Sequence, residues 1–192
     1  MRIIAGTLKG RRLASPTWEG LRPTSDRLRE TLFNILAGRV EGARVLDVYA
    51  GTGAIGIEAL SRGAAHVTFV EADGRAQSLI LDNIARCGVT DGYAMLRNDA
   101  LRALEALREE GRRFDFVLLD PPYNGNRKSR GARPVGATVD VLLAVDAVLT
   151  DGGTVVWEHA ERTAMPPAVG GLARVRVVES GDSALTFYHR EL

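Results

Sequence analysis

The chain has 192 residues, 45% of them hydrophobic, with a formal net charge of +1, one cysteine and three histidines. That is the length of one ordinary domain, with enough apolar residues to fill a core, and it excludes an internal disulfide; His66, His159 and His189 lie too far apart for zinc-ligand spacing, so no metal is expected. No apolar run approaches the roughly 20 residues of a membrane-spanning helix, and MRIIAGTLKGRRL lacks the apolar stretch of a secretory signal, so a cytoplasmic protein is expected.

The near-neutral total hides a segregation of charge. Residues 1–30 hold seven basic residues (Arg2, Lys9, Arg11, Arg12, Arg22, Arg27 and Arg29) against three acids, a local +4. Residues 124–136 add Arg127, Lys128, Arg130 and Arg133 with no acid, another +4, which leaves the rest of the chain at −7. Two basic segments on a neutral protein point to local contact with a polyanion, the alternative being solvated surface loops.

In chain order, RIIAGTLKGRRLA reads as a small hairpin whose glycines supply the turns. SDRLRETLFNILAG follows as a helix with Leu28, Leu32, Ile35 and Leu36 on one face, Thr24 or Ser25 as its N-cap, and Arg27, Arg29 and Glu30 as a solvated face with an ion pair. From Arg44 onward strands alternate with helices: RVLDVYA, AIGIEALSRG, HVTFVEA, GRAQSLILDNIARCG, YAMLRN, DALRALEALREEG, FDFVLLD, ATVDVLLAVDAVLT and GTVVWEH. Alternation at these lengths implies right-handed crossovers and a parallel sheet covered on both faces. LARVRVVE and ALTFYHR, joined by SGDS, form a closing antiparallel hairpin, and TAMPPAVGG before them reads as a surface loop. Cys87, where a helix runs into the turn at Gly88, is expected to fill core space.

Gly51, Gly53 and Gly56 form a G-x-G-x-x-G pattern between a strand and a helix, with Thr52 inside it, and Glu71 follows Gly51 by 20 residues at the end of the next strand. Glycines permit a tight turn and close backbone approach to a nucleotide, and a carboxylate at that distance accepts from ribose hydroxyls. An NAD enzyme fits these features. Asp47, within the strand four residues before Gly51, tilts the reading, because acid suits a cationic ligand better than a pyrophosphate; VLDVYAGTGAIGIEAL resembles the first motif of the S-adenosylmethionine-dependent methyltransferases. The other role open to Asp47 is to cap backbone N–H groups of the loop. Asp99, ending the third strand, is placed either to accept from an adenine amino group or to N-cap the next helix, with the backbone of Ala100 beside it.

Asp120, Pro121, Pro122 and Tyr123 follow the fourth strand, where open α/β sheets place their ligands. This DPPY resembles the fourth motif of methyltransferases that modify exocyclic amino groups of bases or planar amides. Such an amino group is a poor nucleophile until acceptors grip its hydrogens, and Asp120 Oδ with the Pro121 carbonyl supplies two. Prolines fix φ and remove donors, which leaves a rigid turn rich in acceptors. Tyr123 offers a flat face to the base, and stacking of that kind is worth about 1–3 kcal/mol. The bland reading of DPPY is a strand-ending turn.

RIIAGTLKGRRL, LRPTSDRLRETLFNIL, LDVYAGTGAIGIEALSRGA and DPPY together resemble the RsmD family, bacterial guanine-N2 methyltransferases of small-subunit rRNA, over nearly the whole chain. The resemblance implies a Rossmann-like class I methyltransferase with a seven-stranded, mostly parallel sheet, the C-terminal antiparallel hairpin and a small N-terminal β-hairpin extension, divided as residues 1–22 and 23–192. It implies S-adenosylmethionine as cofactor and 16S rRNA within a ribosomal particle as partner, with a monomer as the default. By the same resemblance Arg22, Pro23, Thr24 and Asn34 belong to the segment that closes over the cofactor. Arg2, Lys9, Arg11 and Arg12 would then meet rRNA, and the loop carrying Arg127, Lys128, Arg130 and Arg133 would hold phosphates near the target. The competing functions are an adenine-N6 nucleic-acid methyltransferase, for which the chain has no extra target-recognition domain, and a protein glutamine methyltransferase, which would more typically carry asparagine at position 120. An NAD oxidoreductase leaves DPPY unexplained, and a non-catalytic rRNA-binding assembly factor would have no use for the cofactor site.

Overall fold

The computed structural model describes residues 1–19, 21, 24–121 and 135–190. These fall into two compact units, residues 1–103 and 104–192.

The first unit opens with an irregular basic segment in which Arg2 and Arg12 form an isolated antiparallel bridge. The expected hairpin therefore contracts to a single bridge, closed by hydrogen bonds such as Ile3 N–H to Arg11 C=O at 2.9 Å. Helix α1 (Asp26–Ile35) starts where the Ser25 hydroxyl accepts the Leu28 N–H, one of the two caps expected from sequence. Its buried residues are Leu28, Arg29, Leu32 and Phe33. The solvated face read from sequence is thus wrong for Arg29, which is 0% exposed; the reason lies in its partners, described below.

Strand β1 (Arg44–Val48), helix α2 (Ala54–Ser61), strand β2 (His66–Val70), helix α3 (Gly74–Cys87) and strand β3 (Tyr93–Leu96) follow. β2 pairs in parallel with β1 from Arg44↔His66 to Val48↔Val70 and with β3 from Val67↔Tyr93 to Val70↔Leu96. Parallel neighbours need a crossover, and the apolar faces of α2 and α3 fill that role. α3 is N-capped by Asp73 and stopped by Gly88 in the left-handed region (φ 71°), and Cys87 beside it is buried as expected. Burial pushes the Cys87 thiol above its usual range.

The boundary between the units falls within helix α4 (Ala100–Glu109). In the second unit, strand β4 (Phe114–Leu119) pairs in parallel with β5 (Leu149–Ala160), helix α5 (Val135–Asp146) lying between them in sequence. β5 pairs antiparallel with β8 (Ser183–Arg190), β8 with β7 (Leu172–Ser180), and β7 with the two-residue β6 (Ala168–Val169). The described strands therefore number eight rather than seven, because part of the expected surface loop at 163–171 pairs with β7. The final hairpin turns tightly at Gly181 and Asp182, with Gly181 at φ 63°. The core is formed by side chains such as Phe114, Leu118, Val155, Trp157, Phe187 and Tyr188, each at most 2% exposed. The Tyr188 hydroxyl donates to the Pro166 carbonyl at 2.8 Å, which holds the loop before β6 onto this core.

Candidate functional site

The glycine loop begins directly after β1. Tyr49 (φ 64°), Gly51 (φ 57°) and Gly53 (φ 75°) all lie in the left-handed region, so the chain reverses into α2 within a few residues. Glycine accepts that backbone freely. A tyrosine does not: the left-handed conformation costs an L-residue roughly 1–2 kcal/mol, and Tyr49 is the one non-glycine residue among those described that adopts it. The turn is fastened by Gly53 N–H to Ala50 C=O at 2.7 Å and to the sheet by Ala50 N–H to Val70 C=O at 3.0 Å.

Asp47 is 1% exposed, and its Oδ2 accepts the Gly56 N–H at 2.9 Å. Gly53, at the N-cap of α2, has no side chain to satisfy the first helical N–H groups, so a carboxylate reaching from β1 takes one of them. Of the two sequence readings of Asp47, the capping one describes this geometry. Gly56 is required by packing: a Cβ there would stand 2.3 Å from Phe69 Cε1 and 2.9 Å from Asp47 Oδ2.

Glu71, half-buried just after β2, uses both carboxylate oxygens. Oε2 accepts the Gly51 N–H at 2.9 Å and Oε1 the Asp73 N–H at 2.8 Å, while its carbonyl takes Gln77 Nε2 at 2.8 Å. The acid expected 20 residues after Gly51 therefore lies against the loop itself, and each oxygen keeps a second lone pair for a hydroxyl donor. Asp73 beside it is held to about 2 by its hydrogen bonds with Arg75. Asp99, exposed after β3, accepts Arg102 N–H at 3.2 Å and faces Arg102 Nε at 3.4 Å, so it caps α4, whose first residue Ala100 is buried. The loop, Glu71 and Asp99 follow β1, β2 and β3 in turn, and in a parallel sheet that places all three at the carboxyl edge.

Thr52 is buried, and its carbonyl accepts Asn83 Nδ2 at 2.9 Å. Leu21 lies over the loop, its Cδ1 3.2 Å from where a Gly51 Cβ would stand, and Thr24, also in the segment expected to close over a cofactor, is half-buried. Asn34 is exposed on α1. Arg22 and Pro23 lie outside the described residues, as do Pro122, Tyr123, Arg127, Lys128, Arg130 and Arg133. In the second unit, Asp120 is half-buried and Pro121 buried immediately after β4. Arg2, Lys9, Arg11 and Arg12 are all exposed on the N-terminal segment. Among the described residues no group of three or more His, Cys, Asp or Glu is arranged to hold a metal ion, and no helix is long and apolar enough to cross a membrane.

Two residues that sequence reasoning passed over, Glu58 and Asn83, organise the first unit together with Arg29. Glu58, 0% exposed on α2, lies 3.7 Å from Arg29 Nη1 and accepts Arg62 Nε at 2.8 Å. Arg29 also donates to Asp26 Oδ1 at 2.6 Å and to the Arg2 carbonyl at 2.8 Å. A buried charge persists only when paired and hydrogen-bonded, and these partners explain why Arg29 leaves the solvent. Asn83, 0% exposed on α3, accepts the Ala14 N–H at 2.7 Å and donates to the carbonyls of Ala14 and Thr52. The available signal for Glu58 was a lone acid in the otherwise apolar run AIGIEALS.

Comparison with known proteins extends this geometry. The chain is 37% identical to ribosomal RNA small subunit methyltransferase D of Escherichia coli K12, over 100% of this chain and 90% of that one. A hypothetical protein of Thermus thermophilus superposes with a TM-score of 0.81 at 29% identity, covering 100% of this chain and 99% of the other. A conserved hypothetical protein of Streptococcus pyogenes gives 0.72 at 32% identity, over 85% and 95% of the two chains. The fold is that of the class I methyltransferases. The family described as conserved hypothetical protein 95 matches residues 1–189, and the chain belongs to that family, the RsmD family.

Proposed function

We propose that the protein transfers a methyl group from S-adenosylmethionine to the exocyclic N2 amino group of a guanine in 16S rRNA. It acts as a cytoplasmic monomer on the small ribosomal subunit or an assembly intermediate. The observation that carries the reading is Glu71 bonded to the glycine loop through Gly51, with the buried Asp47 bonded to it through Gly56. A ribose-reading carboxylate and a loop without Cβ atoms at Gly51 and Gly53 suit a nucleoside, and the two acids suit a ligand bearing positive charge. The name of the Escherichia coli relative supports rRNA as the acceptor.

When bound, S-adenosylmethionine supplies an electrophilic methyl group on a sulfonium. The chain's own residues bind, orient and exclude water. In this reading Glu71 accepts from the ribose hydroxyls, Asp99 and Ala100 meet the adenine, Asp47 holds the loop and adds negative potential beneath it, and Gly51, Thr52, Gly53 and Gly56 shape the backbone approach. Arg22 and Thr24 belong to the segment that covers the ligand.

Asp120 Oδ and the Pro121 carbonyl accept the two hydrogens of the target amino group, with Pro122 stiffening the turn and Tyr123 stacking on the base. Alignment of acceptor and donor supplies most of the rate. An amine that has just been methylated carries an acidic proton, so no strong base is needed, in keeping with a set of groups that contains no histidine. A base must leave its stack to reach such a pocket, and Arg2, Lys9, Arg11, Arg12 and the 124–136 loop contact the surrounding phosphates. Asp120→Ala should abolish methyl transfer while S-adenosylhomocysteine affinity, measured by calorimetry, stays near wild type. Equal loss of both would assign Asp120 a structural role instead.

A further inference from the structure

The basic N-terminal segment has one bridge of its own, Arg2 with Arg12, and a few backbone hydrogen bonds around it, such as Gly10 N–H to Ile3 C=O at 2.9 Å; the rest of its support lies beneath it. That support is α2. The N–H groups of Ile4 and Ala5 donate to Glu58 Oε2 and Oε1 at 2.8 and 3.0 Å, and those of Thr7 and Leu8 donate to the Ser61 carbonyl and Oγ at 2.8 and 3.0 Å. The Ser61 hydroxyl donates in turn to the Ala5 carbonyl. Contact is so close that a Cβ on Gly6, already at φ 81°, would stand 1.8 Å from the Ser61 carbonyl oxygen. Glu58 and Ser61 are themselves 0% and 1% exposed. A two-residue anchor thus satisfies four backbone donors of an irregular loop, donors that a true hairpin would satisfy by strand pairing.

We propose that Glu58 and Ser61 are positioning residues for RNA binding: they hold the segment so that Arg2, Lys9, Arg11 and Arg12 meet phosphates as a preformed set. The inference rests on the reading of this segment as the rRNA contact. Preformed cations lose less conformational freedom on binding than cations on a loose loop, and they engage more phosphates at once. The number engaged is read from the slope of log affinity against log salt.

The experiment measures binding of the full chain to small ribosomal subunits across a salt series, with S-adenosylhomocysteine affinity measured separately. Arg11→Ala and Arg12→Ala, each removing one cation, should each lower the slope by about 1. Ser61→Ala removes no charge, yet it should lower the slope by about 1 or more and weaken binding about tenfold at physiological salt. S-adenosylhomocysteine affinity should stay near wild type. Gly6→Ala obstructs the same contact from the loop side, leaves α2 intact, and should reproduce the result even where Ser61→Ala does not fold. Wild-type slope and affinity in the folded anchor variants, while Arg11→Ala and Arg12→Ala lower the slope, would overturn the anchor and leave the RNA-facing segment standing. Wild-type slopes in Arg11→Ala and Arg12→Ala would remove the RNA-facing segment, and the anchor's role with it.

Discussion

Gly56 is the most constrained position of the glycine loop, because its missing Cβ is the space that Phe69 and Asp47 Oδ2 occupy. Forcing a methyl group into a packed site typically costs about 1–3 kcal/mol, so Gly56→Ala should lose that much in denaturant titration and bind S-adenosylhomocysteine at least several-fold more weakly. Two buried side chains make stability depend on pH in opposite ranges. Burial pushes the Tyr188 hydroxyl from 10.0 up to about 12. The unfolded chain therefore releases that proton first, and stability should fall between pH 10 and 12 in wild type more steeply than in Tyr188→Phe. Burial lowers His159, whose ring nitrogens lie 2.8 Å from the Ala160 carbonyl and 2.7 Å from Thr186 Oγ1. Here the unfolded chain takes up the proton first as pH drops through its ordinary 6.5, so stability should fall below that pH, and less so in His159→Gln. At this scale the sequence was partly readable. Asp47, Gly51 and Glu71 sit at spacings that a loop between strand and helix demands, whereas a tyrosine side chain carries no mark of the left-handed backbone that Tyr49 adopts.

Among the helices, α2 departs from the usual amphipathic pattern. A helix packed on a sheet usually leaves one face to water, yet residues 54–59 are all buried, because the N-terminal segment covers α2. Removing one partner of a buried ion pair typically costs about 3–5 kcal/mol, so Glu58→Ala should show a loss of that order by chemical denaturation. A loss close to that of an exposed pair, under about 1 kcal/mol, would contradict the burial. The Arg29–Glu58 pairing joins residues distant in sequence, and neither helical periodicity nor the nearby Glu30 hints at it. Alternation of strands and helices was legible because parallel pairing leaves few other arrangements for runs such as RVLDV and HVTFV. The end of α5 was not: it stops at Asp146, and Leu149 and Thr150, expected in the helix, already belong to β5. There the register with β4 shifts around Asp151 to Gly153, and an irregularity of that kind leaves only paired glycines as its trace.

At the scale of the molecule, the function proposed above asks two things of one small chain: holding a methyl donor at the carboxyl edge of a parallel sheet, and holding a nucleotide of a much larger particle. In that proposal the first falls to the glycine loop with Glu71, and the second to the exposed cations of the N-terminal segment and to Asp120 with Pro121. The fold could be read from sequence because its physics is local to short motifs, and the glycine loop, Glu71 and Asp99 follow β1, β2 and β3 where their spacing put them. The support beneath the basic segment depends on contacts between residues more than 50 positions apart, which no short motif displays. The central claim is tested most directly by incubating the protein with radiolabelled S-adenosylmethionine and small ribosomal subunits lacking the modification, beside deproteinised rRNA, and identifying the labelled nucleoside. Label in N2-methylguanosine on the subunit is the predicted result. Absence of label from both RNAs despite confirmed donor binding, or label in N6-methyladenosine, would contradict it.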